Sequence, residues 1–339
     1  MNLYKTFYMK YIIICFLLLP IIIIIQSCNS CTDKHYIGGL KGEITISGAF
    51  ALYPMTVKWA DEFKKLNPGI EIDVSAGGAG KGITDVLSGM VDLAMVSRDI
   101  KKEEADKGAW AIAVTKDAVI PIINIANPVI KEIEKKGITR QVLTDIYITG
   151  KITTWGQALG ISDNTKIDIF TRSDACGAGE IWGKYLGKNQ ESLIGVGVYG
   201  DPGIADAIKK DVVGLGYNNV LYAYDSKTRT YNEGIRVLPL DLNNNGKLDN
   251  DEKFYDNLDS LMNAIQTGLY PSPPARELYF VSKSKPHNKV VKDFLRWILT
   301  DGQKFVKESG YVQLSETRIN EELDKLKLIH WHKSLKTMK

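Results

Sequence analysis

From Glu43 onward the chain alternates short β-type runs with helical ones, many of them joined by turns of small residues. That alternation confines it to the α/β class, in which neighbouring parallel strands are linked through helices. GEITISG reads as the first strand. The segment after it sets Leu52, Met55, Trp59 and Phe63 at helical spacing and stops at Pro68-Gly69. IEIDVSA, the helical KGITDVLSGM and VDLAMVS repeat the unit. The apolar run AWAIAVTKDAVIPIINI predicts a buried strand that crosses from one half of the molecule to the other. TRQVLTDIYITG and GAGEIWGKYLG read as helices, and KIDIFTR, GLGYNN, IRVLPLD and ARELYFVSK as strands. A late helix has Val291, Phe294, Leu295, Ile298 and Leu299 on one face.

The length of 339 residues suggests about two domains, and 44% apolar residues exclude a disordered chain. A formal charge of +3, spread rather than blocked, supplies no field for nucleic acid. The first residues are of another kind. Lys5 and Lys10 precede YIIICFLLLPIIIIIQSC, a basic start and an apolar run that read as an export signal, with an uncleaved membrane anchor as the alternative. Ile25-Gln26-Ser27-Cys28 resembles a bacterial lipobox, which implies a signal peptide over 1–27, acylation of Cys28 and a polar tether over 28–40. Cleavage there removes Lys5 and Lys10 and no acid, so the formal charge falls from +3 to +1. The four cysteines then divide into discarded Cys15, lipidated Cys28, tether residue Cys31 and Cys176, and nothing argues for a disulfide.

Three places share one design: SGAFALYPM, SAGGAGKG and RSDACGAGE each end a strand in small residues and begin a helix. A helix start exposes about four unpaired N–H groups and the positive end of the dipole, and small residues let an anion reach them. Arg98 and Arg172 lie beside two of these starts, and a guanidinium fork suits a tetrahedral oxyanion. The plainer alternative for each arginine is an ion pair with Asp99 or Asp174. SAGGAGKG is not a Walker loop, because Ser75 replaces the first Gly and Gly82 the hydroxyl metal ligand. None of the four histidines (His35, His287, His330, His332) lies beside a nucleophile or in a carboxylate cluster, so no catalytic group is expected.

GAFALYPMTVKWADEFKK, GKGITDVLSGMVD, MVSRDI, LTDIYITGKITTWGQ and IFTRSDACGAGEIW follow in the order found in the phosphate-binding proteins of ABC transporters, which the chain resembles over about 43–312. The resemblance implies a two-lobe periplasmic-binding-protein fold of type II, with mixed sheets flanked by helices and a ligand cleft between the lobes. It implies one lobe from 41–117 plus 276–339 and another from 118–275. It further implies a monomeric, non-enzymatic receptor, without a catalytic cofactor, that delivers an oxyanion, phosphate first, to an ABC permease. Carried over residue by residue, the ligand-binding positions are Ala49, Phe50, Ala51, Gly78, Ala79, Ser97, Arg98, Arg172, Ala175, Cys176 and Gly177. Several stand where the family has Ser or Thr, so backbone N–H groups and arginines remain while most hydroxyl donors are gone. Some members carry an Asp near Ser97 that accepts the ligand's proton; this chain has Ser97-Arg98-Asp99. Lost hydrogen bonds to a charged ligand, each worth about 1.5–3 kcal/mol, weaken phosphate binding or change the ligand. An exported sensor or adhesion module, and a phosphoester hydrolase using Cys176, are the rival classes.

A second motif stands apart. DLNNNGKLDNDE, 241–252, fits the twelve-residue calcium loop: Asp241, Asn243 and Asn245 at positions one, three and five, and Gly246 at the sharp turn. Lys247 offers its carbonyl, Asp249 stands at position nine and Glu252 closes the set, which predicts a structural Ca²⁺. The alternative is an Asn/Gly-rich surface turn with incidental acids. A strand precedes the loop, so a regulatory helix pair is not expected.

Overall fold

The computed structural model describes residues 40–327. The expected signal, Cys28, nearly all of the tether, and His330 and His332 lie outside the described residues. Among the described residues no helix is long and apolar enough to cross a membrane.

Strand β1 (Gly42–Gly48), helix α1 (Tyr53–Leu66), β2 (Ile70–Ala76), α2 (Ala79–Ser88) and β3 (Leu93–Val96) form the opening α/β units. The helical stripe of α1 was legible from spacing, and Leu52, Met55, Trp59 and Phe63 are all buried. After α3 (Lys102–Asp106) comes β4 (Ala109–Asn124), which is the predicted long apolar strand as one continuous element. Then follow α4 (Ile130–Lys136), β5 (Ile138–Thr139), α5 (Arg140–Tyr147), α6 (Trp155–Leu159), β6 (Asp168–Arg172) and α7 (Gly177–Tyr185). The next elements are β7 (Val196–Val198), α8 (Gly200–Lys210), β8 (Gly214–Asn219), α9 (Val220–Ala223), β9 (Ile235–Val237) and β10 (Leu240–Asp241). The chain ends through α10 (Leu258–Thr267), β11 (Ala275–Lys283), α11 (Lys289–Leu299), α12 (Lys304–Glu308) and α13 (Glu316–Leu326).

Nine strands join in the order β2-β1-β3-β11-β4-β8-β6-β7, with β9 also on β4. Strand β1 is parallel to β2 and β3, and β6 is parallel to β7 and β8. The two parallel groups are stitched by antiparallel strands. Strand β4 pairs with β11 through Ala109–Ala118, then with β8 through Val119–Ile123. It therefore changes partners near Ala118, and its last eight residues are all buried. A continuous apolar run suits a strand covered on both faces. One hydrophobic cluster gathers buried residues from Ala118 to Ala275 together with Val312. Trp155, Trp182, Tyr217 and Tyr147 are fully buried within it. A side chain of that size removes a large area from water, at about 25 cal/mol per Å² of apolar surface.

Candidate functional site

The carboxyl ends of β1, β2, β3, β6 and β8 meet around a small cleft. It is lined by Ala49, Phe50 and Ala51 after β1, Gly78 and Ala79 after β2, and Ser97 after β3. From the other side come Arg172, Cys176, Gly177 and Ala178 after β6, Asp201 in the first turn of α8, and Asn219 at the end of β8. Ligands in open α/β sheets bind at this end of the strands because helix starts face it. The cleft is tight: the free space between its lining atoms is only about 150 Å³, part of it open to solvent.

The glycines are where the backbone needs them. Gly78 has φ +89°, and a Cβ there would lie 2.8 Å from the Asp174 carboxylate. At Gly177 a Cβ would lie 2.2 Å from the Ser97 hydroxyl oxygen. Both let the two sides of the cleft approach closely. They touch directly as well: Gly80 donates its N–H to the Ala175 carbonyl at 3.1 Å. Among the described residues the N–H groups of Ala51, Ala79, Gly177 and Ala178 form no hydrogen bond to protein. They point to an acceptor other than the chain itself.

Arg172 is the cation of the cleft. It forks onto Asp174 with Nε and Nη2 at 2.8 and 2.6 Å, and Nη1 reaches Asp201 at 2.7 Å. The Phe50 ring centroid lies 5.6 Å from the guanidinium carbon. Burial opposes the charge, but Asp201 and Asp174 outweigh it and hold the Arg172 pKa above its ordinary value. Burial pushes the Cys176 thiol up to about 12 in spite of Arg172, so it stays protonated. Its Sγ caps α7, accepting from the Gly179 N–H at 3.2 Å.

Nine of the eleven ligand positions expected from the sequence line the cleft: Ala49, Phe50, Ala51, Gly78, Ala79, Ser97, Arg172, Cys176 and Gly177. Arg98 does not. Its guanidinium forks onto Glu104 at 2.8 and 2.6 Å and turns away, so the ion-pair alternative holds for its geometry, with Glu104 instead of Asp99 as partner. Ala175 lies beside the cleft and takes part through its carbonyl. Sequence reasoning missed Asp201, Asn219 and Ala178 as liners, and Arg276 behind them. Arg276 donates to the Ser97 carbonyl at 3.0 Å and to the Asn219 side chain. Asp201 and Asn219 carried a signal in retrospect, since each follows a small-residue strand end or opens a helix.

In the loop 241–252, Asp241 accepts from the N–H of Gly246 at 2.9 Å and of Asn245 at 3.3 Å. Asn243 and Asn245 accept from the N–H groups two residues on, both at 3.1 Å. Glu252 accepts from Leu242, Asn243 and Asp249 N–H. Gly246 has φ +81°, as the sharp turn requires. Asp249 is bound by Lys247 Nζ at 2.8 Å, and this with the Asn243 and Asn245 amides lowers its pKa to about 2. Among the described residues no three His, Cys, Asp or Glu side chains converge to hold a metal. The acids of the loop are therefore not gathered into a ready cage.

A cleft of helix starts at the ends of two parallel strand groups, tied by crossing strands, is the site arrangement of an open α/β sheet. The sequence matches the model of the PBP superfamily domain over residues 37–302, and the chain belongs to that superfamily. It is 27% identical to the phosphate-binding protein PstS of Xylella fastidiosa, over 85% of this chain and 86% of that one. It is 25% identical to PstS of Staphylococcus epidermidis, over 85% and 84% respectively. Among solved structures, an ABC-type phosphate transport receptor from Vibrio cholerae superposes with a TM-score of 0.58 at 20% identity, covering 80% of this chain and all of that one. A high-affinity periplasmic phosphate-binding protein, solved with phosphate, superposes with a TM-score of 0.62 at 12% identity, covering 83% and 92%. These superpositions establish the fold expected from the sequence.

Proposed function

We propose that the protein is an extracytoplasmic receptor, lipid-anchored through Cys28, that captures an oxyanion, phosphate first, for an ABC permease. The observation that carries this reading is the convergence of free N–H groups at three helix starts on a cavity that also holds Arg172. Donors aimed from a fixed backbone bind an oxyanion without reorganisation. The curated relatives named above are binding proteins, and the protonated, buried Cys176 has none of the activation a nucleophile needs. In this reading 41–117 plus 276–339 form one lobe and 118–275 the other, closing on the ligand about the strands that cross between them. Calorimetric titration of the ligand-stripped protein with phosphate tests it. Saturable heat at micromolar to millimolar phosphate is expected; no heat at millimolar phosphate refutes the phosphate reading.

We also propose a structural Ca²⁺ on the loop 241–252. Asp241 and Glu252 are buried, yet no ion pair reaches either among the described residues. Buried carboxylates without a cation are costly. A Ca²⁺ held by oxygens of Asp241, Asn243, Asn245, Lys247, Asp249 and Glu252 offsets that cost, with Asp249 exchanging its lysine for the ion.

A further inference from the structure

Positive charge collects at the end of the molecule opposite the cleft. Strand β11 runs antiparallel to β3, so its last residues lie beside the start of β3, which is parallel to β1. The cleft is at the other ends of these strands. From Lys283 to Arg296 the sequence holds five basic residues and one acid, in a chain whose whole formal charge is only +3. That acid, Asp293, is taken by Lys289 at 2.5 Å and faces Arg296 at 3.5 Å. Among the described residues no acid lies within ion-pair distance of Lys283, Lys285 or Lys292. Two more lysines join them. The Ser284 N–H donates to the Gly108 carbonyl at 2.7 Å and so brings Lys107 near. Val290 packs on Gly42, where a Cβ would lie 3.2 Å from its Cγ2, and so brings Lys41 near. Lys41, Lys107, Lys283 and Lys289 are all exposed. Glu43 points to the opposite face of the sheet from Gly42, because side chains alternate along a strand.

The placing of these lysines runs against local electrostatics. After the Asn288 cap, α11 has Lys289 at its first position and Lys292 at its fourth, with no acid in the first turn. A helix start carries the positive end of the dipole and favours acids. Local choices that oppose stability mark surfaces used for something else. The chain also enters the fold at this end. With a lipid on Cys28, residues 28–40 join the bilayer to Lys41 and reach at most about 45 Å.

We propose that this end of the protein is a docking face for the anchoring membrane, its lysines around the start of α11 seated on anionic phospholipid headgroups. The inference rests on the lipid-anchor reading above. Each basic group near an anionic bilayer strengthens attachment about fivefold. The tether keeps the patch at high local concentration over that surface, so a weak contact is still populated. A lipid and a basic patch together fix an orientation that the lipid alone leaves free. With this end down, the cleft at the opposite strand ends faces the solution from which the anion is taken.

The test places the lipidated protein on vesicles of phosphatidylcholine, alone or mixed with phosphatidylglycerol, and labels its lysines briefly with an amine-reactive reagent read by mass spectrometry. At low salt Lys283, Lys285, Lys289 and Lys292 are expected to react at least about fivefold more slowly on the anionic vesicles. Lys184, at the other end of the molecule beside the cleft, should react alike on both. High salt should erase the difference. Lys289→Glu combined with Lys292→Glu puts acids where the helix start favours them, so the fold is kept while Lys283 and Lys285 lose their protection. Equal labelling on the two kinds of vesicle, slowing that extends to Lys184, or unchanged protection in the double variant overturns the proposal. Failure of the protein to stay on phosphatidylcholine vesicles refutes the lipid anchor instead. The patch is then read from sedimentation with the anionic vesicles: binding supports it, and no binding overturns it too.

Discussion

Gly177 opens α7 and faces Ser97 so closely that a methyl group would lie 2.2 Å from its Oγ and 2.5 Å from its carbonyl oxygen. Alanine is otherwise well suited to a helix start, so Gly177→Ala should leave the helical content of the protein unchanged. It should prise the cleft apart and weaken phosphate binding at least about tenfold, or roughly 1.4 kcal/mol. Circular dichroism beside the titration checks this, and undiminished affinity refutes the close approach. Behind the cleft, burial and, to a lesser degree, Asp201 push Asp117 up to about 6 against the pull of Arg276. An unfolded Asp titrates near 3.9. The folded state therefore holds the proton more tightly, so the contribution of Asp117 is full below about pH 4 and is lost as pH rises through about 6. Urea denaturation from pH 4 to 7 should show the stability of the protein falling relative to Asp117→Asn by up to about 3 kcal/mol. Parallel pH profiles for the two proteins count against this assignment.

Among the elements, the loop after β10 is the clearest case of sequence and structure agreeing in shape while leaving the ligand to be tested. Its Asn and Gly positions make the successive tight turns that the spacing predicts. The Asn243 and Asn245 amides bond Asp249, and Lys247 pairs with the same carboxylate. Chelation of the protein as isolated should lower its melting temperature, and Asp241→Ala should remove the difference. Scanning calorimetry with calcium and with a chelator measures this, and one melting temperature in both refutes a structural ion. The strands were legible for a different reason. β4 carries a near-continuous apolar run, which suits burial on both faces, and the limits of β4, β8 and β11 followed from the flanking turns. β7 and α8 had no such signal: Val196 is 61% exposed, and α8 begins in Gly-Asp-Pro-Gly, which reads as a turn.

Across the whole molecule, contacts outside the cleft join the segments that line its two sides. Lys184 meets Asp99 at 2.9 Å, Lys101 meets Glu180, and the Tyr222 hydroxyl donates to the Phe50 carbonyl at 3.4 Å. Exposed ion pairs contribute about 0.2–1 kcal/mol each, so they adjust how firmly these segments are held without dictating it. Glu180→Gln should accelerate phosphate release about two- to fivefold at low salt, with the difference fading as salt screens the pair. Stopped-flow dissociation at two ionic strengths measures it. Identical release rates at low salt would show that these pairs do not hold the two sides together.

The order of most strands and helices, the small-residue helix starts and the placing of Arg172 beside one of them were determined by the sequence alone. All are local matters of spacing, backbone freedom and helix dipoles. The tertiary structure decided which charges share a cavity. Arg98 and Arg172 looked alike in the sequence, each beside a helix start with an acid close by. Folding sent Arg98 onto Glu104 and brought Asp201, 29 positions beyond Arg172, into contact with it. That pairing depends on β6 and β8 lying side by side with α8 packed against them, a relation between distant segments that no local pattern encodes.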